Sequence, residues 1–195
     1  MVLEELRNNV DSKQPKISIV TTIYNRADKI ERNFKSVASQ TYDDFEHILI
    51  DDGSTDQIKP LVEKYMESVP YPVVYVKKEN GGKHTATNLA WKNYAKGEFV
   101  VNLDSDDALE PYALKWFIDS WNQIPDKSQY WSVTARCKTQ NSDTMCGEPY
   151  PSNINSMPEE KAKKIAGSVG GDKIAMQRLD GQWILIVERA ALSMI

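Results

Sequence analysis

The sequence predicts an α/β fold, a doubly wound and mostly parallel sheet, and three observations lead there. Short β-branched runs, apolar on both faces as buried parallel strands are, recur along the first two thirds of the chain. Amphipathic stretches at helical spacing alternate with them. Pairs rich in Gly, Asn and Asp punctuate the changes from one to the other. With 195 residues, 41% hydrophobic and 27% charged, the chain has the composition of one globular domain.

The elements follow in order. Residues 1–15 are a polar lead-in with room for one short helix, closed by Pro15. ISIVTTI (Ile17–Ile23) is too short for a helix and suits a buried strand. After the turn Tyr24-Asn25-Arg26, the segment Asp28–Ser39 puts Ile30, Phe34, Val37 and Ala38 at helical spacing, with Asp28 as the expected N-cap. A second strand, EHILID (Glu46–Asp51), stops at the turn pair Asp52-Gly53. Ser54, Thr55 and Asp56 offer caps for a helix running to about Ser68, with Pro60 tolerated in its first turn. Val73–Val76 is a third strand, and Asn80-Gly81-Gly82 precedes a helix from about Lys83 to Tyr94. Phe99–Leu103 is a fourth strand, and Glu110-Pro111 opens a helix with Leu114, Phe117, Ile118 and Trp121 inward.

Four β–α units in succession give residues 16–125 a mostly parallel sheet whose right-handed crossovers gather the following loops on one edge. Residues 126–195 read as a partial, partly irregular region of the same domain. Trp131–Lys138 and WILIVE (Trp183–Glu188) are expected strands, 139–158 a long polar loop, Glu159–Ala166 a short helix and Gly167–Gly171 a flexible stretch. The end at Leu192-Ser193-Met194-Ile195, just after a strand, suggests a second half that is shortened or was cut away.

Net charge of −4 argues against nucleic acid as a partner, and the one lysine-rich stretch, Lys161 to Lys164, follows Glu159 and Glu160. Cys137 and Cys146 lack metal-type spacing, and two His residues cannot complete a soft-ligand site with them. Nothing suggests secretion, so a disulfide between them is not expected. The N-terminus lacks the cationic start and apolar core of a signal peptide. No apolar run approaches the roughly 20 residues that cross a bilayer. The expected location is the cytoplasm, with a peripheral place at its membrane compatible.

Four places on that edge could carry chemistry. In Asp104-Ser105-Asp106-Asp107 strand alternation would project Asp104 and Asp106 the same way. Two carboxylates so close repel unless a cation sits between them, and oxygen-only ligands suit Mg²⁺ or Mn²⁺. A solvated acidic turn is the alternative. Asp51-Asp52-Gly53-Ser54 could accept a hydrogen bond from a ribose or a base, or could be a well-capped turn. Gly81-Gly82-Lys83 precedes a helix N-terminus, a natural anion site, though without P-loop spacing. His84, Trp91, Trp116 and Trp121 read as surface or core.

In this order, with Asn80 and Asn88 around the glycines, the four motifs resemble those of the family 2 glycosyltransferases of GT-A fold, over about residues 16–115. The resemblance implies transfer of a sugar, usually with inversion, from a nucleoside diphosphate donor (UDP- or GDP-linked) to a glycan or lipid-linked acceptor. It implies donor binding by Thr22, Tyr24, Asn25, Arg26, Asp52, Gly53, Ser54, Gly82, Lys83, Asn88, Asp104 and Ser105. Asp52 would contact the base, Asp104 the ribose, and Asp104 with Asp106 a divalent cation, Asp106 more directly. The general base of such enzymes follows the Asp-x-Asp strand; Asp172, Asp180 and Glu188 are weak candidates. Two rivals remain. A sugar nucleotidyltransferase would carry a Gly-rich loop after the first strand, where this chain reads Thr21-Thr22-Ile23-Tyr24-Asn25-Arg26. A nucleotide-sugar-binding module without turnover is the other.

Overall fold

The structure is a computed structural model. It describes residues 1–8, 10, 14–130, 132–139, 156–158, 173–178 and 183–194, with backbone alone for 129, 156–158, 173 and 183–194. The first half builds strands β1 (Val2–Arg7), β2 (Ile17–Ile23), β3 (Phe45–Asp51), β4 (Val73–Lys78) and β5 (Phe99–Asn102). Helices α1 (Ile30–Ala38), α2 (Ile58–Ser68) and α3 (Lys83–Asn93) connect β2 through β5. A two-residue strand β6 (Ala108–Leu109) and helix α4 (Ala113–Asn122) follow, then β7 (Ser132–Thr139), β8 (Ser156–Pro158), β9 (Lys173–Arg178) and β10 (Trp183–Met194).

The strands form one sheet in the order β1-β4-β3-β2-β5-β9-β7-β10-β6, with β8 against β10. β2, β3, β4 and β5 are parallel, as are β7 and β10, whereas β9 runs antiparallel to both β5 and β7. Residues on either side of 125 thus share one sheet. Alternation along the strands separates two apolar layers. Ile17, Ile19, Leu49, Tyr75, Phe99 and Val101 face α1, α2 and α4, which contribute Phe34, Val62, Tyr65, Leu114, Phe117 and Trp121. Val20, Ile48, Ile50, Val74, Val76 and Val100 face α3, whose Ala86 and Ala90 let it lie close. Trp121 is core, as expected; Trp116 and Trp91 are partly buried at the margins of the two layers.

The expected strands and helices of residues 16–125 form, and three helix or strand starts within residues 1–125 need correction. The lead-in is not helical: β1 pairs antiparallel with β4, from Val2 opposite Lys78 to Arg7 opposite Val74. VLEELR is rich in helix formers, and the open edge of β4 overrides that preference by offering its backbone groups partners. Asp28 does not cap α1, which starts from Lys29 without a side-chain cap. The backbone does the work, with Lys29 N and Ile30 N donating to Arg26 O at 3.0 and 2.9 Å. Likewise Ser54, Thr55 and Asp56 do not cap α2, which begins at Ile58 after Gln57; they hold another loop instead, as shown below. WILIVE is a strand and extends to Met194. The expected helix over 159–166, the flexible stretch 167–171, Cys146 and residues 140–155 of the expected loop lie outside the described residues, whereas the described ends of that loop are strand, Thr139 in β7 and Ser156–Pro158 as β8 paired with β10. Cys137 is buried in β7. Among the described residues no helix is long and apolar enough to cross a membrane.

One polar chain runs through the larger layer. His47 of β3 is fully buried, with Nε2 3.0 Å from Thr21 Oγ1 and Nδ1 2.9 Å from the Tyr65 hydroxyl. Tyr65 in turn meets the Tyr71 hydroxyl at 2.7 Å and stacks on Phe34 with ring centroids 4.1 Å apart. Burial pushes the His47 pKa from 6.5 down to about 3, so the native state refuses a proton that the unfolded chain accepts. The stability carried by neutral His47 is therefore complete above pH 6.5 and is lost as the pH falls toward 3, by up to roughly 5 kcal/mol. Urea unfolding followed from neutral pH into acid should show this decline, and His47→Gln should flatten it. An equal decline in both proteins would assign the acid sensitivity elsewhere.

Candidate functional site

The chain leaves β2 for β3 and β4 on one side, then returns to β5 on the other. At such a reversal the C-terminal strand ends part and leave a crevice, the usual ligand position in open α/β sheets. A cavity of about 500 Å³ lies there, in the range of small-molecule sites. Its walls are Thr22, Ile23, Tyr24 and Arg26 from the end of β2, and Asp52 after β3. Asn80, Gly82 and Lys83 come from the loop into α3, and Asp104, Ser105 and Asp106 follow β5. Most of the residues singled out in the sequence therefore meet. Asn25, Gly53 and Ser54 are not in the wall, and Asn88 is exposed on α3.

Those three stand behind the wall and shape it. Asn25 adopts φ 51°, a left-handed conformation that Asn tolerates better than most residues. Its N–H donates to Ser54 Oγ at 3.0 Å, and its Oδ1 accepts from Thr55 N at 2.9 Å. Ala27 N donates to Asp56 Oδ2 at 2.8 Å. The Ser-Thr-Asp run thus staples the loop after β2 to the loop after β3. Gly53 has φ 83°, and a Cβ there would lie 2.8 Å from Asn80 N, so only glycine lets the loop before α3 pack this close.

Asp52 is buried and anchors that loop. Its carboxylate accepts from Lys78 Nζ, from Gly81 N at 3.0 Å and from Gly82 N at 2.7 Å, while Asn80 Nδ2 donates to its carbonyl at 2.9 Å. The glycine N–H groups leading into α3, expected to await an external anion, thus already hold an internal one. Asn80 was marked in the sequence as part of the glycine motif, but Lys78 was not singled out. Nothing in a strand-end lysine announces that it turns back onto a carboxylate 26 residues earlier.

The carboxylate cluster also needs a correction. β5 ends at Asn102, so strand alternation does not orient Asp104 and Asp106. They sit in a turn closed by Asp107 N donating to Asp104 O at 3.0 Å. Asp104 and Asp106 still share the cavity; Asp107 is not in its wall. Each cavity carboxylate faces a cation: Lys83 Nζ lies 2.7 and 2.6 Å from the Asp104 oxygens, and Arg26 lies 3.6 Å from Asp106. Both pairs are substantially exposed, so water screens them and each can exchange partners at little cost.

This donor set fits a divalent cation shared with a substrate. Among the described residues no group of three or more His, Cys, Asp or Glu gathers as a full metal cage. Two hard oxygen ligands completed by substrate phosphates is the arrangement that Mg²⁺ and Mn²⁺ favour. Of the candidate bases, Asp172 and Asp180 lie outside the described residues, and Glu188 falls on β10 where the backbone alone is described.

The chain is similar to known proteins in sequence and in fold. Chondroitin synthase of Pasteurella multocida is 40% identical over 101 residues, which are 52% of this chain and 10% of that protein. An uncharacterized glycosyltransferase of Nostoc is 34% identical over 104 residues, 53% of this chain and 32% of its own. The chain spans a third or less of the length of these curated relatives. In structure it resembles S. aureus TarS 1–349 in complex with UDP-GlcNAc, with TM-score 0.68 and 22% identity over 91% of this chain and 58% of that 1–349 chain. Mannosyltransferase PcManGT of Pyrobaculum calidifontis, in complex with GDP-Man and Mn²⁺, gives TM-score 0.60 and 18% identity over 95% of this chain and 59% of its own. These two likenesses establish the GT-A type of the fold. The family described as Glycosyl transferase family 2 matches residues 18–183, and the chain belongs to it.

Proposed function

We propose that this chain binds the donor in a glycosyltransferase that moves a sugar from a nucleoside diphosphate to an acceptor hydroxyl, with inversion. The observation that carries the reading is the convergence of Asp52, Lys83, Asp104, Asp106 and Arg26 on one cavity beside the half-exposed ring of Tyr24. Donors linked to UDP or GDP fit it best, since the structural neighbours were solved with UDP-GlcNAc and GDP-Man.

Each residue then has a role. Tyr24 offers a ring for the base to stack on, and Asp52, an acceptor when ionised, takes an N–H from the base edge. Asp104 accepts from a ribose hydroxyl. Lys83 and Arg26 leave their carboxylates and turn to the diphosphate, which carries more charge. Asp106, with Asp104, holds Mg²⁺ or Mn²⁺. When bound, that ion supplies Lewis-acid compensation for the charge that grows on the departing diphosphate. The acceptor, a glycan or a lipid-linked sugar, would approach from the side of β7, β9 and β10, where the general base is also sought. Work at the cytoplasmic face of a membrane suits a lipid-linked acceptor.

Two measurements test this. A nucleoside diphosphate at 100 times its dissociation constant should stabilise the protein by about 2.7 kcal/mol, a rise of roughly 5–10 °C in Tm for a chain of this size. UDP or GDP with Mn²⁺ should give that shift, and Asp106→Ala should abolish the part that depends on Mn²⁺. Absence of any shift with all nucleoside diphosphates would sink the donor reading, and binding without transfer or donor hydrolysis would point to a module without turnover. Lys83→Gln should act in opposite directions on two ligands. Diphosphate affinity falls, while Mn²⁺ alone, followed by electron paramagnetic resonance, binds more tightly because Asp104 has lost its competitor. A parallel loss of both would refute the exchange.

A further inference from the structure

The turn that carries Asp104 and Asp106 is held from behind by α1. Arg32 Nη2 donates to Asp106 O at 2.7 Å, and Asn33 Nδ2 donates to Asp104 O at 2.9 Å and Asp107 O at 3.3 Å. Farther along the helix Ser36 Oγ accepts from Leu109 N at 3.1 Å, and just past its end Gln40 bonds both Glu110 O at 2.9 Å and Leu114 N at 3.1 Å. All these bonds go to backbone. They draw the carbonyls of the turn toward the helix and leave the Asp104 and Asp106 carboxylates to the cavity.

Asn33 is the pivot. It is fully buried, and it bridges the two ends of the turn. Its Oδ1 has no hydrogen-bond partner among the described residues. The two donated bonds alone therefore set which way the amide points, because the reversed amide would oppose oxygen to two carbonyl oxygens. A buried amide with one side unmatched is a poor choice for stability by itself. We propose that Asn33 is a positioning residue: it presets the Asp104–Asp107 turn so that Asp104 and Asp106 meet a divalent cation without first being ordered. The role in cation binding rests on the donor-site reading above; the hold on the turn does not.

The test compares Asn33→Ala with Ser36→Ala, which removes a buried bond of the same helix just beyond the turn. Two readouts are taken: amide hydrogen exchange at Asp107, whose N–H closes the turn, and UDP affinity with and without Mn²⁺. Asn33→Ala should speed exchange at Asp107 by roughly tenfold, the loss expected for two buried hydrogen bonds. It should shrink the Mn²⁺-dependent gain in UDP affinity by a similar factor and lower metal-free UDP affinity by less, through the ribose contact of Asp104 alone. Asn33→Asp, which sets a carboxylate against the two carbonyls, should do at least as much. Ser36→Ala should lower Tm but alter neither readout. Asn33→Ser, smaller but still able to donate one bond, gives the same signs with smaller size and serves if the alanine variant does not fold. Unchanged exchange at Asp107 in the Asn33 variants, or equal changes in the Ser36 variant, overturns the proposal. Wild-type protein that binds no nucleoside diphosphate sinks the donor reading alone, and exchange at Asp107 still decides the hold on the turn.

Discussion

Everything in the molecule depends on the position of β2. It is buried on both faces and hydrogen-bonded on both edges, parallel to β3 on one side and to β5 on the other. Because β2, β3, β4 and β5 run parallel, their C-terminal ends and the loops after them all emerge at the same edge. The reversal at β2 parts them into a crevice. A chain that has buried Ile17, Ile19, Val20 and Ile23 in this way has already decided where a ligand would sit, whichever ligand it is.

What fills the crevice wall is governed by a second constraint, that buried polar groups must be matched. Loops so near the sheet cannot turn every backbone group to water. Side chains meet the need, and each loop borrows from another: Ser54 and Asp56 serve the loop after β2, Asp52 serves Gly81 and Gly82, and Asn33 serves the turn at 104–107. The result is a site in which position is set by buried bonds to backbone and charge is left on exposed side chains. That division gives Lys83, Arg26, Asp104 and Asp106 freedom to change partners without unfolding the wall that carries them.

On the donor reading proposed above, the internal ion pairs prepare an acidic chain for an anionic ligand and a cation. Its cations are present in the crevice, but each is engaged by a carboxylate that the incoming cation would claim. Exchange of partners keeps charge matched before and after binding. It also couples affinity for the diphosphate to affinity for the ion.

The sequence alone determined strands β2 to β5 and helices α1 to α4, because burial period is local: β-branched runs apolar on both faces leave one option, and amphipathic spacing leaves another. It also marked most of the cavity wall, since Asp52, Gly82, Lys83, Asp104 and Asp106 lie where elements change and the order of those changes suffices to gather them. Only the tertiary structure decided what each polar residue is for. VLEELR is a strand because β4 had an edge to offer, not because of its own preference. Ser54 and Asp56 look like helix caps in sequence and are staples in space. Asn33 and Lys78 gave no sign, except that Asn33 is a polar residue on the arc of α1 that also holds Ile30, Phe34 and Val37. Hydrogen bonds between residues 26 to 74 positions apart have no period and no motif, so they exist only once packing has brought their partners together.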